Sequence, residues 1–264
     1  MSEEFFRVEA DQGLVTMTLC RPDRANSIHI PFAAAFHRQM ADFAGDESVR
    51  AVVIKGEGKI WCAGGDLGYF ASSGDALPEA LRELIKEFHA GLHVMATMNA
   101  PVIAAVDGAA SGAGLSLLAA ADMAYATEQS RFSMAYTAAG LTPDGGATYF
   151  LPRLVGWRRA RELMLTNRSL SAPEAADWGL LNDCVADAQA LEETVATVAG
   201  RLAQGPTQAF GRVKRLLEQS TGRDRSEQLQ SESDNICAVG GGADGREGIS
   251  AFLEKRKPVF SGRP

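Results

Sequence analysis

Between residues 14 and 127, short apolar runs alternate with longer stretches of helical period, and no other feature constrains the chain as much. Leu14–Leu19 sets Val15, Met17 and Leu19 at every second position, the period of a strand. Phe32, Phe36, Met40 and Phe43 then recur at helical spacing over residues 31–44. Ala51–Lys55 is a short buried strand carrying VVI. Over residues 78–98, Leu81, Leu84, Ile85, Phe88, Leu92 and Met95 fall on one side of a helix. "PVIAAVDG" (101–108) reads as a buried strand, "GAGLSLLAAAD" (112–122) as a helix of small residues and "MAYAT" (123–127) as a strand again. Strands separated by helices argue for an α/β fold with largely parallel pairing.

From about residue 188 the texture changes. Helical patterns follow one another at 188–203, 206–219, 224–238 and 244–254 with no strand between them, and Gly240–Gly242 breaks the last two. An α/β core over 1–199 with a helical C-terminal segment over 200–264 is expected. A chain of 264 residues can bury a substantial core at that size.

The charge balance is 26 basic against 33 acidic residues, net −7. That balance offers no general attraction for nucleic acid or an anionic membrane, so an anionic ligand has to be held locally. Cys20, Cys62, Cys184 and Cys237 are dispersed and form no CxxC pair, which argues against a disulfide framework or a zinc site. The opening residues MSEEFFRVEADQG lack the basic and apolar regions of a signal peptide, and no uncharged apolar run reaches spanning length. A cytoplasmic protein is expected.

Two glycine-rich corners stand out. "WCAGGDLGYF" (61–70) follows a strand-type segment, and "DGAASGAGLSLL" (107–118) joins a strand to a helix. Backbone N–H groups at such corners lack partners, and those at a helix start sit at the positive end of its dipole. One N–H from each corner could converge on a single oxygen and stabilise charge developing there. The plainer reading is that the glycines permit close strand–helix packing. A dinucleotide fingerprint fits less well, because the second corner reads GxxxGxG rather than GxGxxG. A third stretch, "GLTPDGGATYF" (140–150), sets Asp144 between a proline and two glycines in apolar surroundings. Turn chemistry or a helix N-cap is the simple account of it.

With these motifs the chain resembles the crotonase (enoyl-CoA hydratase/isomerase) superfamily along nearly its whole length. The resemblance is carried by "RPDRANS" (21–27), "CAGGDL" (62–67), "PVIAAVDGAASGAG" (101–114), "GLTPDGGATYFLPRLVG" (140–156), "LSAPEAADWGLLNDCV" (170–185) and "REGISAFLEKRKPVF" (246–260). It implies a β-β-α spiral core that binds an acyl-CoA thioester, and C-terminal helices that build a homotrimer or homohexamer. It implies no metal and no separate cofactor, coenzyme A entering as part of the substrate. By position, the N–H groups of Gly65 and Ala113 would hold the thioester carbonyl. Ala63, Gly64, Asp66, Leu67, Gly112, Ser116, Tyr136, Arg24 and Lys255 are the positions the resemblance sets around the substrate. Arg21, Arg24 and the cluster Lys255–Lys257 could offer charge to CoA phosphates, but taken alone they read as solvated surface groups.

The departures from the family pattern bear on the chemistry. Hydratases of the family carry two glutamates, and here those positions are Ser116 and Tyr136, neither a good base near neutral pH. Ordinary hydration is therefore not expected. Asp144 matches the aspartate of family isomerases, including the phenylacetate-pathway type, and also the nucleophilic aspartate of 4-chlorobenzoyl-CoA dehalogenases. His89 and His93 share a helix face. They are two polar groups on an outer helix side, or, by resemblance to the dehalogenases, His89 assists hydrolysis.

Three readings follow. In the first, Asp144 shifts a double bond in an enoyl-CoA, with Leu141, Tyr136 and Phe150 as candidates for the apolar surroundings that would strengthen it as a base. In the second, Asp144 attacks an aroyl or acyl group and His89 activates water. In the third, the chain binds CoA without turnover.

Overall fold

The computed structural model describes residues 4–263. The chain opens with a hairpin, β1 (Phe6–Asp11) and β2 (Leu14–Leu19), and continues through α1 (Ile30–Gly45), β3 (Ala51–Gly56) and β4 (Ile60–Cys62). Next come α2 (Leu67–Ala71), α3 (Leu77–Thr97), β5 (Val102–Val106), β6 (Ala109–Ser111) and α4 (Ala113–Ala119). β7 (Met123–Thr127), β8 (Arg131–Ser133), α5 (Ala147–Val155), α6 (Trp157–Thr166), β9 (Leu170–Ser171), α7 (Ala172–Asp177) and β10 (Asp183–Val185) complete the mixed region. Four helices follow: α8 (Ala188–Ala203), α9 (Thr207–Ser220), α10 (Arg225–Gly240) and α11 (Ala243–Leu253).

The strands form two sheets. The six-stranded sheet has the order β1-β2-β3-β5-β7-β10 and the four-stranded sheet β4-β6-β8-β9. Pairing is parallel except for β1 with β2 and β8 with β9. Successive turns of chain share one plan: a strand in the large sheet, a strand in the small sheet, then helix. β3–β4, β5–β6 and β7–β8 are those turns, so the strands advance as a β-β-α spiral. Each turn therefore delivers a strand-to-helix corner to the same side of the small sheet.

The apolar run of each central strand is explained by burial on both faces. Val52, Ile54, Val102, Ala104 and Val106 point into the main core with Phe36, Phe88 and Met95. The residues between them, Val53, Ile103 and Ala105, point the other way onto Leu191, Val195 and Ala199 of α8. α1 packs on α3 with the Phe36 and Phe88 rings 5.8 Å apart. α9 clamps the end of α3: Lys214 Nζ donates to the carbonyls of Met95 (3.0 Å) and Ala100 (3.3 Å), and Arg215 to that of Thr97 (2.9 Å). Met95 and Thr97 carry carbonyls left open at a helix C-terminus, where cations are favoured.

Beyond α9 the chain buries little of its own apolar surface. α10 has no buried residue, and Leu229, Ile236, Ile249, Phe252 and Leu253 are all exposed. Among the described residues no helix is long and apolar enough to cross a membrane.

Candidate active site

The two glycine-rich corners meet. Gly64 adopts φ +88°, and a Cβ on it would lie 2.6 Å from the Ser111 carbonyl oxygen and 2.8 Å from the Ala113 nitrogen. Only glycine lets the corner after β4 lie against the start of α4. The packing and the functional accounts of these glycines are therefore one fact: the close approach brings the donors together. Ile28 fixes the first corner from the side, its N–H donating to the Gly64 carbonyl at 2.7 Å while Asp66 N–H donates to the Ile28 carbonyl at 2.9 Å. Among the described residues nothing accepts from the N–H of Gly65 or from that of Ala113, the first residue of α4. Both residues line the same cavity of about 210 Å³.

The rest of the wall is mostly apolar. Ala63, Leu67 and Phe70 come from the first corner, Ile28 from the segment bracing it, Gly112 from the second corner, and Leu81, Leu84 and Ile85 from α3. Ala135, Tyr136, Ala139, Leu141, Thr142 and Asp144 close the cavity from the segment between β8 and α5. In that segment the Asp144 side chain makes no helix cap, since α5 starts from Gly146 without a side-chain bond. Its carboxylate instead receives the Tyr136 hydroxyl on Oδ1. Ser116 is fully buried, and its Oγ lies 3.0 Å from the Tyr136 oxygen and donates to the Asp144 carbonyl at 3.0 Å. Burial, then the adjacent Asp144 charge, push the Tyr136 phenol well above its ordinary range, so it stays a donor.

Gly145 locks the next peptide. It adopts φ +61°, and a Cβ there would meet Ser116 Cβ at 2.7 Å and the Phe88 ring at 3.0 Å. Its N–H donates to His89 Nε2 at 2.9 Å. His89 thus touches the peptide after Asp144 from the exposed side of α3, and it is not part of the cavity wall.

The structure brings together Ala63, Gly65, Leu67, Gly112, Ala113, Tyr136 and Asp144 on one wall, with Gly64 and Ser116 directly behind it. Asp66 serves the fold: its Oδ1 caps α2 through Tyr69 N–H at 2.9 Å, and Oδ2 accepts from Ser27 Oγ at 3.2 Å. Arg24 and Lys255 are exposed and lie outside the wall. Of their neighbours, Arg21 is buried and donates to the Ser27 carbonyl at 2.9 Å, and Arg256 pairs with Glu247 and Glu254. Phe150, expected beside Asp144, instead faces a separate cavity with Phe210 and Leu217, because its place on α5 turns it toward α9. The sequence reading did not single out Ile28, Phe70, Ala135, Ala139 and Thr142 as lining residues. Among the described residues, no group of three His, Cys, Asp or Glu side chains is placed to hold a metal ion.

Known proteins resemble the chain over its full extent. The pattern of the family described as Enoyl-CoA hydratase/isomerase matches residues 9–263. A protein of Rhodobacter capsulatus described as "Probable enoyl-CoA hydratase" is 39% identical over 100% of both chains. The 1,2-epoxyphenylacetyl-CoA isomerase of Escherichia coli is 35% identical over 98% of this chain and 99% of its own. The crystal structure of an enoyl-CoA hydratase from Polaromonas sp. JS666 superposes with a TM-score of 0.91 at 33% identity, covering 97% of this chain and 99% of that one.

Proposed function

The chain belongs to the enoyl-CoA hydratase/isomerase family, and from that premise we propose that it moves the double bond of an enoyl-CoA thioester with a single carboxylate. One observation carries this reading. Among the described residues, Asp144 is the only carboxylate in the wall that also presents the open N–H groups of Gly65 and Ala113.

In the proposed reaction the thioester carbonyl accepts those two N–H groups. Asp144 takes a proton from C2 of a 3-enoyl thioester, the C2–H electron pair forms a double bond between C1 and C2, and the carbonyl pair moves onto the thioester oxygen as negative charge. Two preorganised donors in a site of low polarity are suited to hold that charge. The same carboxyl returns the proton at C4, and the double bond ends between C2 and C3. One group acts as base and then as acid, so the overall step needs no second carboxylate and no external proton. The wall offered to the acyl chain by Leu81, Leu84, Ile85 and Leu141 favours an apolar acyl group.

Hydration requires a second acid–base group, and the structure offers Ser116 and Tyr136, whose hydroxyls donate to the carbonyl and Oδ1 of Asp144. The hydrolytic reading requires His89 as a base on water, whereas its Nε2 already accepts from Gly145. The exposed apolar side chains of α9 to α11 support assembly into a trimer or hexamer.

The test is a panel of 3-enoyl-, 2-enoyl- and aroyl-CoA thioesters followed by absorbance and mass spectrometry. Conversion of the 3-enoyl to the 2-enoyl thioester without added water is expected. Hydration of the 2-enoyl thioester as the fastest reaction would overturn the assignment.

A further inference from the structure

We propose that Tyr136 is the positioning residue of this site, its hydroxyl pinning Oδ1 of Asp144 so that Oδ2 alone meets the substrate. The inference rests on the isomerase reading above and assigns a residue that the bare scheme does not need. Among the described residues no donor reaches Asp144 Oδ2, whereas Oδ1 is taken by the Tyr136 hydroxyl. A carboxylate held at one oxygen cannot swing between rotamers, and a proton-transfer partner misplaced by an ångström costs about 10²-fold in rate.

The backbone is shaped to place this phenol. Tyr136 N–H donates to the Met134 carbonyl at 2.6 Å, closing a three-residue turn over Ala135, which takes φ +52° without being glycine. Such turns are rare and persist only where their surroundings hold them. Here Ala135 lines the cavity, and Ser116 from α4 donates its one hydroxyl proton to the Asp144 carbonyl, with its Oγ 3.0 Å from the phenol oxygen. Serine and tyrosine thus grip both ends of the aspartate, side chain and main chain. His89 on α3 also faces this segment, and it bonds the Gly145 peptide rather than the carboxylate.

The experiment compares Tyr136→Phe and Ser116→Ala with the wild-type protein on a 3-enoyl-CoA. Tyr136→Phe is expected to lower kcat by about 10- to 100-fold with KM and melting temperature near those of the wild type. Ser116→Ala is expected to lower kcat less, in the same direction. Site-specific fluorotyrosines at position 136 then keep the ring shape while making the phenol more acidic. A stronger donor grips the carboxylate more tightly and weakens it as a base, so kcat should fall stepwise with fluorination while KM stays constant. A merely structural tyrosine leaves that series flat, and a flat series overturns the proposal even where the phenylalanine variant misfolds. Wild-type kcat in Tyr136→Phe overturns the positioning role alone. Absence of enoyl-CoA turnover in the wild-type protein overturns the isomerase reading and the positioning role with it.

Discussion

The backbone N–H of Gly145 donates to Nε2 of His89 at 2.9 Å, which ties the exposed side of α3 to the peptide that follows Asp144. A nitrogen that accepts from a peptide N–H has no lone pair left for water, and on the proposed isomerase mechanism His89 is asked only to support the loop. His89→Gln, whose carbonyl oxygen can accept the same bond, is expected to retain turnover within about 10-fold, an effect well short of the 10²–10⁴ associated with loss of an acid–base group. Intact mass measured during turnover should show no adduct on Asp144 in either protein. An accumulating adduct in the variant would favour the hydrolytic route.

How far the sequence discloses this arrangement depends on element length. The helices read over 31–44, 78–98 and the four C-terminal patterns reappear with ends shifted by a residue or two, because long amphipathic elements display their period. β8, β9 and β10 span two or three residues each and contain too few positions to show any period. β1 escapes notice for another reason, since five of its six residues face solvent and no apolar alternation marks it. Asp144 is conspicuous as a lone carboxylate in an apolar stretch, yet its partner is not. Tyr136 reaches it only through the turn at Ala135, which no residue type announces. The stripe Leu81–Ile85–Phe88 reads uniformly apolar, although Leu81, Leu84 and Ile85 face the cavity while Phe88 is buried against α1. Burial in protein and exposure to a ligand pocket select the same side chains, so sequence does not separate them.

Lys214 Nζ lies 2.7 Å from Asp122 Oδ2, with both groups largely withdrawn from water. Burial pushes the Asp122 carboxyl up and the Lys214 ammonium down, in each case against the pull of the partner's charge. By linkage, the raised Asp122 value contributes stability below the unfolded pKa of about 3.9 and loses it as pH rises through the folded value. The lowered Lys214 value contributes stability above about 10.4 and loses it as pH falls. Removing one partner strands the other: Asp122→Ala is expected to cost roughly 3–5 kcal/mol. In Lys214→Met the stranded carboxyl is better tolerated protonated, so the stability deficit against wild type should widen from pH 5 to pH 8. Urea denaturation at several pH values measures it, and a deficit independent of pH would count against the pair's burial as the cause.

Leu217, Ile236 and Phe252 are 69%, 69% and 83% exposed, which is costly surface for an isolated chain to present to water. The expected wild-type state at micromolar concentration is a trimer or hexamer formed through α9 to α11. Ile236→Glu and Phe252→Glu place a charge on that surface and should shift the population toward smaller species. Size-exclusion chromatography with light scattering reads the mass directly. A wild-type monomer would refute assembly through these helices.

The decisive substitution is Asp144→Asn. An aspartate that only capped a helix or closed a turn would lose about 1 kcal/mol of stability at most on this change and no activity. The structure removes that account, because the side chain caps nothing and α5 begins from Gly146. Asparagine is nearly isosteric, and its carbonyl oxygen can still accept the Tyr136 hydroxyl that Oδ1 accepts now. Folding and acyl-CoA affinity should therefore be close to wild type, since the Gly65 and Ala113 N–H groups that would hold the thioester oxygen are untouched. An amide cannot take a proton from C2, so turnover of a 3-enoyl-CoA should fall by about 10²- to 10⁴-fold. Exchange of the C2 protons of a saturated acyl-CoA with deuterated water reports the same step without any double bond and should fall in parallel. If exchange is lost while thermal stabilisation by the acyl-CoA persists, Asp144 is the base. If both activities survive, the carboxylate has no part in proton transfer and the isomerase mechanism fails at its first step.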